Sequence, residues 1–201
     1  MKENTHKQFF ILIGRSGSGK GTQAALLQGA LEDKGLQNVR HVTTGGGFRE
    51  FIQSDGYIAK RAREINDTGG LQPEFLAVWN WANIFINSVT GNETIILDGA
   101  PRKPFEAGIL HSAVTFLDYK NPTVIYLDVT ESGSREHLAG RGRPDDKIES
   151  DVTNRMNWFE TEVLPTLDVY LNDPRYTVLH INGNQTIENV HKEIMEKIHL
   201  L

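Results

Sequence analysis

Apolar positions along the chain follow two alternating rhythms. Apolar, β-branched runs occur at Phe9–Ile13, Thr94–Leu97, Thr123–Leu127 and Thr177–Ile181, with a shorter candidate at Val39–Val42, and each reads as a strand. Between them apolar residues return at helical spacing. Ala24, Leu27 and Leu31 stand at i, i+3 and i+7, and Gly35 is placed to end that helix. Phe75, Val78 and Ala82 repeat the spacing after Pro73, in a segment where Trp79, Trp81 and Phe85 read as core rather than as a platform for stacking bases. Trp158 and Phe159 read in the same way, as anchors of a later helix. Strands that are apolar throughout and joined by helices predict an α/β, three-layer fold, with a central parallel sheet of about five strands and ligands at the carboxyl ends of the strands. The 201 residues carry no internal repeat or low-complexity linker, which predicts one domain over 1–201.

Composition narrows the partners. A net charge of -5 argues against nucleic acid or a membrane surface as partner, since both need a basic field. Any phosphate binding must then come from local basic clusters. The chain has no cysteine, which removes disulfides, thiolate metal sites and thiol catalysis. The polar start Met1–Gln8 leads into only five apolar residues, too few for a signal peptide or a membrane span, so a cytoplasmic location is expected.

Chemistry concentrates at strand ends. Gly14–Thr22 reads GRSGSGKGT directly after the first apolar run and before the first helical pattern. Glycines at 14, 17 and 19 let backbone N–H groups converge on polyphosphate oxygens, the helix N-terminus adds a favourable dipole, and Lys20 adds a mobile charge. The common form of such a loop has Ser or Thr directly after the lysine; here Gly21 precedes Thr22. Asp98 ends the Thr94–Leu97 strand, where a carboxylate can hold Mg²⁺ on phosphates or simply form the turn. Arg102, after Gly99-Ala100-Pro101, can reach a phosphate with its fork or form a surface ion pair. Arg141, Arg143 and Arg155 surround the acidic pair Asp145-Asp146, which suits either a phosphoryl-neutralising segment or a solvated, salt-bridged loop. The seven histidines show no metal-ligand spacing, so no protein-bound metal is expected beyond the substrate's Mg²⁺.

With these motifs in order, the chain resembles the adenylate kinase family of nucleoside monophosphate kinases, from about Phe9 to the final helix. The likeness is carried by GKGTQA at Gly19–Ala24, by Thr43-Thr44-Gly45 with Arg49, by Asp98-Gly99-Ala100-Pro101-Arg102, and by Gly142-Arg143-Pro144-Asp145-Asp146. It implies a P-loop kinase domain containing a helical monophosphate-binding subdomain at 44–73 and a short lid at 139–150, acting as a monomer on ATP and a nucleoside monophosphate. Gly17, Ser18, Gly19, Lys20, Gly21 and Thr22 would hold the ATP phosphates, with Thr22 and Asp98 serving Mg²⁺ through phosphates and water. Thr44, Arg49, the backbone of Gly70, Leu71 and Gln72, and Gly99 would hold the acceptor. Arg102, Arg143 and Arg155 would clamp the acceptor phosphate and the transferring group, Arg141 would reach the donor phosphates, and the Gln185 carbonyl would meet the donor base. His137 stands where the family has an arginine stacked on the donor adenine, and either stacks there or is a surface histidine.

The chain departs from the family at several places. Gly46-Gly47 follow Thr44-Gly45 where an acidic residue is common, and Ala100 replaces an aromatic residue. Glu106 stands in place of Gln. An ionised carboxylate only accepts hydrogen bonds, which suits guanine N1–H and N2–H; a protonated one could still serve adenine, and a third reading turns the side chain to solvent. AMP is the expected acceptor, with GMP or UMP/CMP as the alternative. Arg141 and Arg143 are too close for a zinc-binding insertion in the lid, and no Cys is present to bind zinc. Asp146 to Arg155 is one residue longer than the family spacing, so Arg155 is either rotated on its helix or restored by an extra loop residue. A regulatory GTPase would need an Asn-Lys-x-Asp segment, which is absent. A non-catalytic nucleotide-binding module remains the distant alternative.

Overall fold

The structure, a computed structural model, describes residues 7–143, 146 and 148–199. The expected lid residues Pro144 and Asp145 lie outside the described residues. Five strands, β1 (Phe9–Gly14), β2 (Val39–Thr43), β3 (Thr94–Asp98), β4 (Thr123–Asp128) and β5 (Thr177–Asn182), form one sheet in the order β2-β3-β1-β4-β5. Every pairing is parallel, with Phe10 facing Ile96 on one side and Thr123 on the other. The five strands match the five apolar runs.

Successive side chains of a strand point to opposite faces, and β1 divides its apolar residues accordingly. Phe9, Ile11 and Ile13 join Trp81, Phe85 and Leu110 in one core, while Phe10 and Leu12 join Ala24, Leu27, Leu31 and Ile194 in the other. The first core lies under α4 (Glu74–Ser88), α5 (Pro104–Phe116) and α8 (Leu164–Leu171); the second lies under α1 (Lys20–Asp33) and α9 (Ile187–His199). Gly35, at φ 88, turns the chain out of α1 and donates its N–H to the Glu32 carbonyl, a left-handed geometry that favours glycine. The expectation that Phe75 and Trp79 join the core is corrected. Trp81 and Phe85 are buried, but Phe75 is 65% and Trp79 42% exposed, because the core-facing stripe of α4 is Leu76, Trp81 and Phe85; Trp79 is met only in part, by the Phe51 ring at 4.9 Å between centroids.

Two short helices, α2 (Thr44–Phe51) and α3 (Tyr57–Asn66), lie between β2 and α4. They gather a small apolar cluster of Ile52, Ala62 and Leu76 with Phe48 and Phe51. Farther along, α6 (Glu131–Arg141) and α7 (Glu149–Trp158) flank the segment around Asp146. Between α7 and α8 the helix widens into a π turn at Phe159–Val163. Pro165 lies at the start of α8; it offers no N–H to the carbonyl four residues earlier and its ring crowds that position, which a widened turn accommodates.

β1 runs between β3 and β4, and the chain leaves it toward one side of the sheet and later crosses to the other. This switch in strand order opens a crevice at the carboxyl ends of β1 and β3.

Candidate active site

A cleft of about 1160 Å³ occupies that crevice, and every site residue expected from the sequence lines it. Its floor is the loop after β1. Gly17 and Gly19 hold φ of 88 and 85, and Gly19 caps α1 in the left-handed region. A Cβ on Gly17 would lie 2.5 Å from the Ser134 carbonyl oxygen, so α6 packs on the loop only because this residue has no side chain. Ser18 N–H donates to the Arg15 carbonyl at 3.1 Å. Lys20 Nζ donates to the carbonyls of Gly14 and Arg15 at 2.8 and 2.6 Å, folding the ammonium group back over the loop. Water reaches Lys20 through the cleft, yet protein encloses it. That enclosure, opposed by Asp98 and reinforced by the positive charges of Arg102 and Arg141, pushes its pKa down to about 8.

Asp98 is the last residue of β3. Burial acts to raise its pKa, but His41, Lys20 and Arg102 outweigh burial and hold the carboxyl below its ordinary value. His41 Nε2 stands 3.9 Å from Asp98 Oδ2, beyond hydrogen-bond reach. A Cβ on Gly21 would come 3.4 Å from the same oxygen, so the carboxylate and the first turn of α1, with the Thr22 hydroxyl, share one wall. Among the described residues no group of three His, Asp or Glu side chains is placed to hold a metal ion. Two hard oxygen donors beside a phosphate cradle fit Mg²⁺, which keeps several waters and binds through one or two protein groups plus phosphates.

The acceptor side is built from α2, α4 and the start of α5. Gly99, at φ 93, brings its backbone so near Thr44 that a Cβ would lie 2.5 Å from Thr44 Oγ1. Gly99→Ala is therefore expected to destabilise the protein by about 1–3 kcal/mol, read as a lower denaturation midpoint. Arg49 folds back over its own helix terminus, its Nη1 3.2 Å from where a Cβ on Gly45 would be. Gln72 donates its Nε2 to the Ala62 carbonyl at 3.0 Å, while its Oε1 is buried without a partner. Arg102 Nε donates to the Gly99 carbonyl at 2.9 Å, and the guanidinium lies open to the cleft. Glu106 does not turn to solvent. It is 2% exposed, and its Oε2 accepts the Arg102 backbone N–H at 3.1 Å.

Arg141 and Arg155 converge on Asp146. Arg141 grips it with two bonds, Nε at 2.7 Å and Nη2 at 2.8 Å, and Arg155 Nη1 adds a third at 2.9 Å. Burial works to raise the Asp146 carboxyl and the two arginines overcome it, holding it below its ordinary value. Arg155 sits on α7, which begins after Ile148, and faces the cleft despite the longer spacing from Asp146. Arg143 is exposed on the cleft rim. His137 Nδ1 lies 2.9 Å from the Gly17 carbonyl, so this histidine rests on the phosphate loop. Gln185 secures its amide to the Asn182 carbonyl and to Glu193 at 2.9 and 2.8 Å.

Three residues escaped the sequence reading, Asp151 and Asn80 in the cleft lining and Arg15 behind the loop. Arg15 donates to the Val129 carbonyl, pairs with Glu160 and lies 4.1 Å over the Phe159 ring, tying the loop to the π turn. Asp151 on α7 packs against Gly69, where a Cβ would approach its Cα to 2.7 Å. Asn80 on α4 is 7% exposed and donates Nδ2 to the Thr44 carbonyl at 2.8 Å. A polar residue inside an apolar helical run was the one available signal for Asn80.

Comparison with known proteins follows the same outline. A family model described as "Adenylate kinase" matches residues 12–174. A protein named adenylate kinase from Corynebacterium urealyticum is 32% identical over 180 residues, which is 90% of this chain and 93% of that one. Adenylate kinase 1 from a Nostoc species is 29% identical across 92% of this chain and 95% of its own length.

Proposed function

The chain belongs to the adenylate kinase family, and from that membership together with the cleft we infer that it is a phosphotransferase moving the γ-phosphoryl group of ATP to AMP, reversibly, to give two ADP. The observation that carries the reading is the convergence, in one cleft, of the Lys20 loop with Arg49, Arg102, Arg141, Arg143 and Arg155. A lone nucleotide site would need the loop; it would not need a second ring of cations opposite it.

Phosphoryl transfer requires little covalent help from protein. It requires alignment of donor and acceptor and stabilisation of charge spread over the transferring oxygens. The amides of Gly17 to Thr22 and the α1 N-terminus hold the donor phosphates. Lys20, released from the Gly14 and Arg15 carbonyls, follows the transferred group. Arg49, Arg102 and Arg155 fix the acceptor phosphate, and an oxygen of that phosphate attacks the γ-phosphorus as the bond to the β–γ bridging oxygen breaks. Arg141 and Arg143 neutralise charge from the rim, with Asp146 holding the guanidinium plane of Arg141 in place. Mg²⁺, carried in with ATP and met by Asp98 and Thr22, would supply further neutralisation of the phosphates.

The segments 44–73 and 139–150 act as an acceptor subdomain and a short lid in this reading, and closure over both nucleotides excludes water from the transfer. Contacts of Thr68 and Gly69 with Asn154 and Asp151 support a coupling between the two. In this reading His137, bonded to the loop through the Gly17 carbonyl, stacks on the donor base. No described helix is long and apolar enough to cross a membrane; a cytoplasmic monomer is the setting we infer for the enzyme.

The test is product analysis with MgATP and AMP. ADP formed in a two-to-one ratio to AMP consumed is the expected result, and ATP binding without any transfer would favour a non-catalytic module.

A further inference from the structure

We propose that the acceptor pocket also takes the monophosphate of guanine as a substrate, because Glu106 Oε1 and Asn80 Oδ1, two side-chain atoms on its wall with no partner in the protein, are both hydrogen-bond acceptors. The proposal rests on the phosphotransferase reading of the same cleft. Glu106, in the first turn of α5, is 2% exposed, and its Oε2 is taken by the Arg102 N–H. Oε1 is left for a ligand. Asn80, on α4, spends its amide donor on the Thr44 carbonyl at 2.8 Å, which fixes the orientation of the amide and leaves Oδ1. A Cβ on Gly47 would lie 3.7 Å from that Oδ1, so the missing side chain at Gly47 keeps the approach open. Ala100, small and buried, leaves room on the same wall.

Buried polar groups demand partners of the right sense. Guanine presents N1–H and N2–H side by side, two donors for two acceptors. Adenine presents the N1 lone pair, which an ionised carboxylate repels, and carries its one donor, N6–H, on the other side of N1 from guanine's N2–H, where Asn80 Oδ1 does not meet it. Burial pushes the Glu106 carboxyl up against the opposing pull of the Arg102 N–H and of the Arg102 and Lys103 charges, a shift toward the protonated form, the form that donates to adenine N1. One pocket can thereby serve both bases. The chemistry is unchanged: an oxygen of the guanosine monophosphate displaces ADP from the γ-phosphorus, giving GDP and ADP.

The experiment measures kcat/KM for AMP, GMP, CMP and UMP with saturating MgATP, with products separated chromatographically, for the wild-type chain and for Glu106→Gln. The Gln side chain can still accept the Arg102 N–H, and thermal melts check that the variant folds. For the wild type, GMP is expected within about tenfold of AMP and both pyrimidines at least about tenfold below GMP; in Glu106→Gln the GMP:AMP ratio is expected to fall by at least about tenfold. Asn80→Leu, which removes the second acceptor, should lower the same ratio. Wild-type enzyme that converts AMP but makes no GDP would overturn the proposal, as would a GMP:AMP ratio unmoved by Glu106→Gln or pyrimidine turnover equal to that of GMP. Absence of transfer to every acceptor would instead sink the phosphotransferase reading.

Discussion

Lys20→Met enzyme is expected to fold and to bind its acceptor while losing about 10²–10³-fold in kcat, the range found when one preorganised charge is removed from a transition state. The ammonium now bonds two loop carbonyls at 2.8 and 2.6 Å, so the substitution removes contacts that hold the loop as well as the charge. Steady-state kinetics on a variant whose melting curve matches wild type separates the two. A folded variant with near-normal turnover would refute the role given to Lys20. The pH profile supplies a second check. Because enclosure lowers the Lys20 pKa to about 8, the free enzyme carries the needed charge fully only below that value, and kcat/KM for ATP should decline as pH rises through it. In Lys20→Met that decline should vanish from the residual activity.

Strand positions were legible in the sequence because the central strands β1, β3 and β4, covered on both faces, are almost wholly apolar, while the edge strands β2 and β5 admit Arg40, His41 and His180. The cradle was legible because phosphate binding restricts backbone torsions, and glycine at 17 and 19 records that restriction directly. Side-chain partnerships were not. The register between Asp146 and Arg155 looked one residue too long, yet the 2.9 Å ion pair between them forms. Helical periodicity placed Phe75 and Trp79 inward, because spacing identifies a face and says nothing of whether another element covers it. Glu106 could be flagged as unusual, but its sense depends on which of its oxygens the Arg102 N–H occupies, and that is a property of the turn before α5. Asn80 shows the same limit. Its amide matters only because the Thr44 carbonyl lies 2.8 Å away, across 36 residues of chain.

Arg102→Ala should strike the acceptor alone. The guanidinium opens on the cleft between Asp98 and Glu106 while Nε is steadied by the Gly99 carbonyl at 2.9 Å, a posture suited to a phosphate at the acceptor position. Removing it is expected to lower kcat/KM for the acceptor by about 10²–10³-fold, with KM for ATP little changed. The Glu106 carboxylate keeps its backbone partner in this variant, since the N–H of residue 102 survives any substitution but proline. Fold and base reading should therefore persist, and the loss should be equal for AMP and GMP, because both carry the same phosphate. Arg102→Lys restores a charge without the planar fork and should recover only part of the loss. An Arg102→Ala enzyme that discriminates the two bases differently from wild type would mean that Arg102 reads the base and that the phosphate clamp lies with Arg49 and Arg155.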